Sequence, residues 1–225
     1  MNATCTTISG RTQWARSRGI RRLEMDALHI LARISGMRER FAEARALLRQ
    51  ADVGKKTEPR DLLVRVGRFL STALVELMAG EPAAAERVLR DSHRELSDLK
   101  GTGQLPPVII LLVRALIMQG RDEEAMRQID EVKKLALKSH DAQIKWRALR
   151  ALLLARRGEA EEAVRLAAEA VALTADWEQD DSTAEVEADY AHVLRLAGND
   201  REARRMAERA LDRYQRKGNL VGARR

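Results

Sequence analysis

Four histidines and one cysteine are the residues of this 225-residue chain best suited to metal or nucleophile chemistry. His29, His93, His140 and His192 share no metal-ligand spacing with one another or with Cys5, so no metal site is expected. Gly54-Lys55-Lys56-Thr57 has the glycine, lysine and hydroxyl of a phosphate loop. It lacks the earlier glycine of that motif and a strand to precede it. No Gly-x-Ser-x-Gly elbow is present. The acidic pairs Asp122/Glu123 and Asp180/Asp181 fall at helix starts, where the positive end of the helix accounts for them. The chain is therefore read as non-enzymatic and as needing no cofactor.

What the sequence does specify is a scaffold. Gly80, Gly120, Gly158 and Gly198 recur at intervals of 40, 38 and 40 residues, each between two segments of helical periodicity. Glu39 occupies the same place in a fifth copy. Five residues after each turn position stands an alanine: Ala44, Ala85, Ala125, Ala163 and Ala203. Glycine can end a helix in the left-handed conformation. Alanine one turn into the next helix lets two helices approach closely. Early acidic residues (Glu43, Glu124, Glu162, Glu202) complement the helix dipole. Small residues recur in the first helix of each unit (Ala32, Ala73, Val113, Ala151, Ala191) and again in the second (Ala51, Ser92, Val132, Ala170, Ala210).

This spacing resembles the tetratricopeptide pattern, with a period near 40 in place of about 34. The resemblance implies an α-solenoid of about five antiparallel helix hairpins. It also implies longer second helices or longer links. Abundant Ala, Leu, Arg and Glu support an all-α fold. Residues 1–20 read as a basic, partly disordered segment, 21–220 as the repeat array and 221–225 as a tail. Within the array, 53–60 and Lys100–Gln104 read as links, and 176–181 as an acidic link carrying Trp177. Gly218-Asn219 reads as a stop signal. In such arrays the first helices line a concave face. That register places Arg33, Arg114, Met118, Lys145, Arg156, His192 and Arg195 inward, beside Leu74, Met78 and Leu152. Arginine and lysine among leucine and methionine suit an acidic peptide or helix.

The formal charge of +7 is uneven. Residues 1–40 carry +5, residues 41–200 carry −4, and residues 201–225 carry +6. Basic ends raise nucleic-acid binding as an alternative, although aromatics at 3% are too few for a stacking platform. The apolar run from Val108 to Ile117 is short of a membrane span and is interrupted by Arg114. With one cysteine there is no internal disulfide, and a cytoplasmic location and no membrane association are expected.

A second resemblance rests on Gln143-x-x-Trp146-Arg147, Ala155-Arg156-Arg157-Gly158 and Glu161-Glu162-Ala163. Val193-Leu194-Arg195-Leu196-Ala197-Gly198 and Tyr214-x-Arg216-Lys217-Gly218-Asn219 extend it. These segments resemble the C-terminal helical-repeat region of large bacterial signal-transduction proteins, in which nucleotide cyclase or DNA-binding domains and an ATPase module precede the repeats. None of those modules is present in this sequence. The reading that follows is a non-enzymatic scaffold holding a peptide or partner domain in a concave groove. Its alternatives are a regulatory or sensor repeat fragment of such a cyclase or ATP-dependent transcriptional regulator, and nucleic-acid binding through the basic termini.

Overall fold

The computed structural model describes Gly10 and residues 21–52, 62–98, 102–135, 139–175 and 180–224. Cys5, Trp14, Trp177, the Gly54 loop and most of the expected links lie outside the described residues. Among those described, the secondary structure is helical, with no strand. Helices α1 (Arg21–Met37) and α2 (Phe41–Asp52) form the first hairpin, and α3 (Leu62–Met78) and α4 (Pro82–Asp98) the second. The third pairs α5 (Leu105–Met118) with α6 (Asp122–Leu135), and the fourth α7 (His140–Arg156) with α8 (Ala160–Ala172). The fifth pairs α9 (Asp180–Leu196) with α10 (Asp200–Lys217), and a single turn, α11 (Leu220–Ala223), follows. Second helices run from 12 to 18 residues, so the long period is not met by lengthening them uniformly. No described helix is long and apolar enough to cross a membrane.

One turn geometry closes all five hairpins. The turn residue is left-handed in each, with φ of 77° at Gly80, 73° at Gly120, 83° at Gly158, 78° at Gly198 and 61° at Glu39. The next amide then donates back across the turn: Arg40 to Ser35, Glu81 to Glu76, Arg121 to Leu116 and Asn199 to Leu194 at 2.9 Å, and Glu159 to Leu154 at 3.0 Å. This bond satisfies a carbonyl that the helix end would otherwise leave open. The carbonyl of that same donating residue accepts the first bond of the second helix, from the amide of Ala44, Ala85, Ala125, Ala163 or Ala203. Four of these alanines are completely buried and Ala203 is 8% exposed. The small first-helix residues opposite them are buried as well, from Ala32 through Ala191. Gly218 repeats the geometry at the end of α10, with φ 69° and an Asn219 amide bonded to Tyr214.

The described chain forms two compact units, Met1–Gln104 and Leu105–Arg225. In the first, α3 packs on both α1 and α2. Ala32, Ala44, Leu48 and Val75 form its core, with Leu47 and Met78 packed on it. His29 is buried at 5% exposure in this unit. Burial holds its imidazole below the ordinary value of 6.5, partly offset by Asp26 and Asp52, while Arg68 adds to the depression.

In the second unit α7 is central: it packs on α5, α6, α8 and α9. Its buried residues, Ile144, Ala148, Leu149, Leu152 and Leu153 among them, therefore surround the helix and do not form one stripe. Ile144 and Ala148 meet Ala170 and Val186, while Ala191 and Leu194 meet Ala203 and Met206. Tyr214 joins Ala184 and Ala210, and a Cβ on Gly222 would come within 2.5 Å of its ring. The one-turn α11 thus seals the last hairpin through the missing side chain.

Two outcomes are expected. Glu39→Gly relieves a left-handed side chain and should stabilise the protein by about 0.5–1 kcal/mol, net of the entropy cost of glycine. Urea denaturation measures it, and an unchanged midpoint would contradict the strain argument. For His29 the folded pKa lies below the unfolded value of 6.5, so near that pH the unfolded chain binds more protons. Stability should fall as pH drops through about 6.5 and level off below the depressed folded pKa. His29→Leu should flatten that slope in melting curves taken across the window.

Candidate functional site

The expected groove residues separate into buried, paired and exposed groups. Arg33 belongs to the first unit, on α1, and is exposed. The other six lie in the second unit, on α5, α7 and α9.

Arg114 does not line a groove; this is a correction to the expected site. It is 8% exposed, and its guanidinium donates to both carboxylate oxygens of Asp189, at 2.9 and 2.7 Å. Glu185 makes a further contact at 3.1 Å. Burial alone would disfavour the cation, but Asp189 and Glu185 outweigh it and raise the pKa of Arg114. The bond runs from the first helix of the third hairpin to the first helix of the fifth. α7 packs against both of these helices. A lone charge in an otherwise apolar helix needs such a partner. The sequence signal was present in the interrupted run Val108–Ile117 and in the i, i+4 spacing of Glu185 and Asp189. Sequence alone did not connect them.

Lys145 pairs with Asp141 one turn earlier in α7, at 2.9 Å. Arg156 lies over the α5–α6 turn, 3.2 Å from the Ile117 carbonyl and 2.8 Å from Asp122. Its neighbour Arg157 bonds Glu123 at 2.7 Å, and Arg150 bonds Asp130 at 2.6 Å. Asp122 and Glu123 thus do more than complement a helix dipole: they join the third hairpin to the fourth. In the first unit Arg45 does the same, holding Glu76 through two bonds of 3.0 and 2.6 Å.

Met118 and Leu196 are among the exposed large hydrophobic residues, at 44% and 45%. With Arg156 they share one repeat position, two residues before the turn glycine of successive hairpins. Neighbouring helices pack about 8–10 Å apart, so the three positions form a row along this edge of the unit. One turn before Leu196 lies His192, whose Nδ1 is 3.3 Å from the Arg195 guanidinium. The structure thus gathers Met118, Arg156, His192, Arg195 and Leu196 near the turn edge. Lys145, near the start of α7, is about 16 Å along the helix from Arg156.

Sequence reasoning missed Glu187. It is fully buried on α9, 2.6 Å from Arg209 and 3.0 Å from Arg213 of α10. The Arg213 contact is a directed hydrogen bond; the Arg209 contact is an ion pair without that alignment. Together with Arg205–Glu202 and Arg216–Asp212, it neutralises much of the basic C-terminal helix, leaving Arg201 and Arg204 exposed. Surface hollows at the starts of α8 and α10 are lined by turn residues and mixed charges. Among the described residues no group of three or more His, Cys, Asp or Glu could hold a metal ion.

No protein-family model matches the chain, and no curated protein matches it. Solved structures do. BtubC (BKLC) from P. vanneervenii is similar over 94% of this chain and 89% of its own, with a TM-score of 0.68 at 14% identity. The tetratricopeptide-like repeats of a putative kinesin light chain from Podosopora anserina are similar over 84% of this chain and 94% of theirs, with a TM-score of 0.57 at 20% identity. A variant of the latter with methionine in place of one glutamine gives a TM-score of 0.59 at the same identity. At these identities the likeness is one of fold: an all-α, tetratricopeptide-like solenoid of helix hairpins.

Charge reversal separates the buried arginine from the exposed one. Arg114→Glu places a third carboxylate against two others in a buried site and should cost about 3–5 kcal/mol. Arg156→Glu should cost no more than about 1 kcal/mol. Thermal melting of the two single variants measures both, and equal losses would show that Arg114 is not buried as described.

Proposed function

We propose that the chain is a non-enzymatic protein-interaction scaffold, and that its partner docks on the edge formed by Met118, Arg156, His192, Arg195 and Leu196. The observation that carries this reading is the exposure of Met118 and Leu196 at one repeat position on either side of Arg156. An exposed apolar surface rimmed by polar groups is the kind that a partner covers, and Met118 and Leu196 with Arg156 between them are read here as such a surface. Arg156 is already balanced by Asp122. The Arg195 guanidinium lies 3.3 Å from His192 Nδ1. A helical or extended segment with apolar anchors and an acidic group near Arg195 fits this arrangement. On the first unit, Arg33 and the 45% exposed Ile30 share one face of α1 and form a smaller surface of the same kind.

The test is affinity capture with the intact chain, repeated with Arg195→Glu combined with Leu196→Glu. Both positions are exposed, so the melting temperature should change little. A partner of the proposed edge should be recovered at least about tenfold less well by the variant. Full recovery of the same partner by the variant would overturn the assignment of the edge.

A further inference from the structure

Successive hairpins within each unit meet in one register, counted from the left-handed turn residue of each. The sixth residue after a turn meets the fourth residue before the next turn. Arg45 bonds Glu76 in this way, and Val164 packs on the cluster that holds Leu194. The tenth meets the eighth, where Arg150 bonds Asp130 at 2.6 Å. The thirteenth meets the twelfth. Asp52 lies 3.8 Å from Arg68, Lys133 lies over the Trp146 ring, and Val171 packs on the cluster that holds Val186. The places run in opposite senses along the two helices, so each second helix receives an antiparallel first helix.

On α10 the sixth and thirteenth places are Arg204 and Leu211, and both are exposed, Leu211 at 38%. The ninth place lies on the same face. It is buried in the four earlier second helices, at Leu48, Leu89, Ile129 and Ala167, and exposed at Ala207. The short α11 packs further along α10, where Ala223 meets Ala210 and Tyr214.

We propose that Arg204, Ala207 and Leu211 form a docking surface for an acidic helix of a partner protein. The partner helix lies antiparallel to α10, with an apolar side chain on Leu211 and, eight residues later, a glutamate on Arg204. The surface continues the packing already present between hairpins, which specifies its occupant. Arg45 stands at the place of Arg204 and holds Glu76 through bonds of 3.0 and 2.6 Å. Val171 stands at the place of Leu211 and meets an apolar cluster. Ala207 between them lets a helix approach closely. The charge of +6 over residues 201–225 favours acidic flanks on that helix. The corresponding pairs on this chain's own first helices are Ala27/Ser35, Arg68/Glu76, Val108/Leu116, Trp146/Leu154 and Val186/Leu194. None combines an apolar residue with a glutamate, which points to a different chain as the occupant. The surface uses no residue of the Met118–Leu196 edge, and failure of either proposal leaves the other standing.

The probe is a fluorescent synthetic peptide of residues 180–196 carrying Leu194→Glu. It is stapled between the positions of Ala188 and His192, which lie opposite Val186 and the new carboxylate on the helix. Fluorescence anisotropy with the full chain should show saturable binding. A matching Leu194→Lys peptide should bind at least about tenfold more weakly. Leu211→Glu in the protein should weaken the glutamate peptide at least about tenfold. Arg204→Glu should reverse the order of the two peptides. Both substitutions are at exposed positions, and circular dichroism should show unchanged helicity. No saturable binding, full binding by Leu211→Glu, or an unchanged order of peptides with Arg204→Glu would each overturn the proposal. Self-association of the chain that Leu211→Glu abolishes, read by sedimentation, would assign the surface to a second copy and overturn it as well.

Discussion

The left-handed residue at each hairpin turn is the constraint on which the rest of the fold depends. A single backbone geometry ends one helix, satisfies its open carbonyl and starts the next helix on the following residue. The buried alanine then falls one turn into the second helix, opposite a small residue in the first. If the turn slipped by one residue, the alanine would rotate by about 100° and a larger side chain would take its place in the contact. Turn and core are therefore one specification, repeated five times with only the side chains around it changed.

Most of this was legible in the sequence because it is local. Glycine or Glu39 at the turn, alanine five residues on, and small residues at two further sites depend only on spacing along one chain. Their burial follows from that spacing. The second helix of the last hairpin ends at Lys217, where Gly218-Asn219 reads as a stop. The long-range ion pairs were not legible for the opposite reason. Arg114 and Asp189 are brought together by the stacking of hairpins, and nothing in either neighbourhood names the other. The same holds for Glu187, which pairs from α9 with Arg209 and Arg213 of α10. A repeat register identifies which positions face a neighbour. It does not say whether a charge there faces water or a buried partner.

The candidate edge illustrates the middle case. Sequence placed Met118, Arg156, His192 and Arg195 on the first-helix side, and the structure collects them near one end of α5, α7 and α9. The balance of charge differs from that expected. Lys145 and Arg156 are each engaged with an aspartate of the same unit, while the Arg195 guanidinium meets His192. Met118 and Leu196 are exposed on this edge, as Leu211 and Leu220 are elsewhere in the same unit.

The ion pairs joining hairpins within each unit differ from one another: Arg45–Glu76 in the first unit, Arg156–Asp122 and Arg157–Glu123 between the third and fourth hairpins, and Arg114–Asp189 between the third and fifth. Hairpins with one backbone geometry and one alanine register are close to interchangeable as building blocks, and a chain of them risks docking its parts in the wrong sequence. The seams between the first and second and between the third and fourth hairpins, and the contact between the third and fifth, each carry a charge that another hairpin neutralises. These pairs therefore distinguish, one from another, hairpins that the turn geometry and the alanine register leave alike.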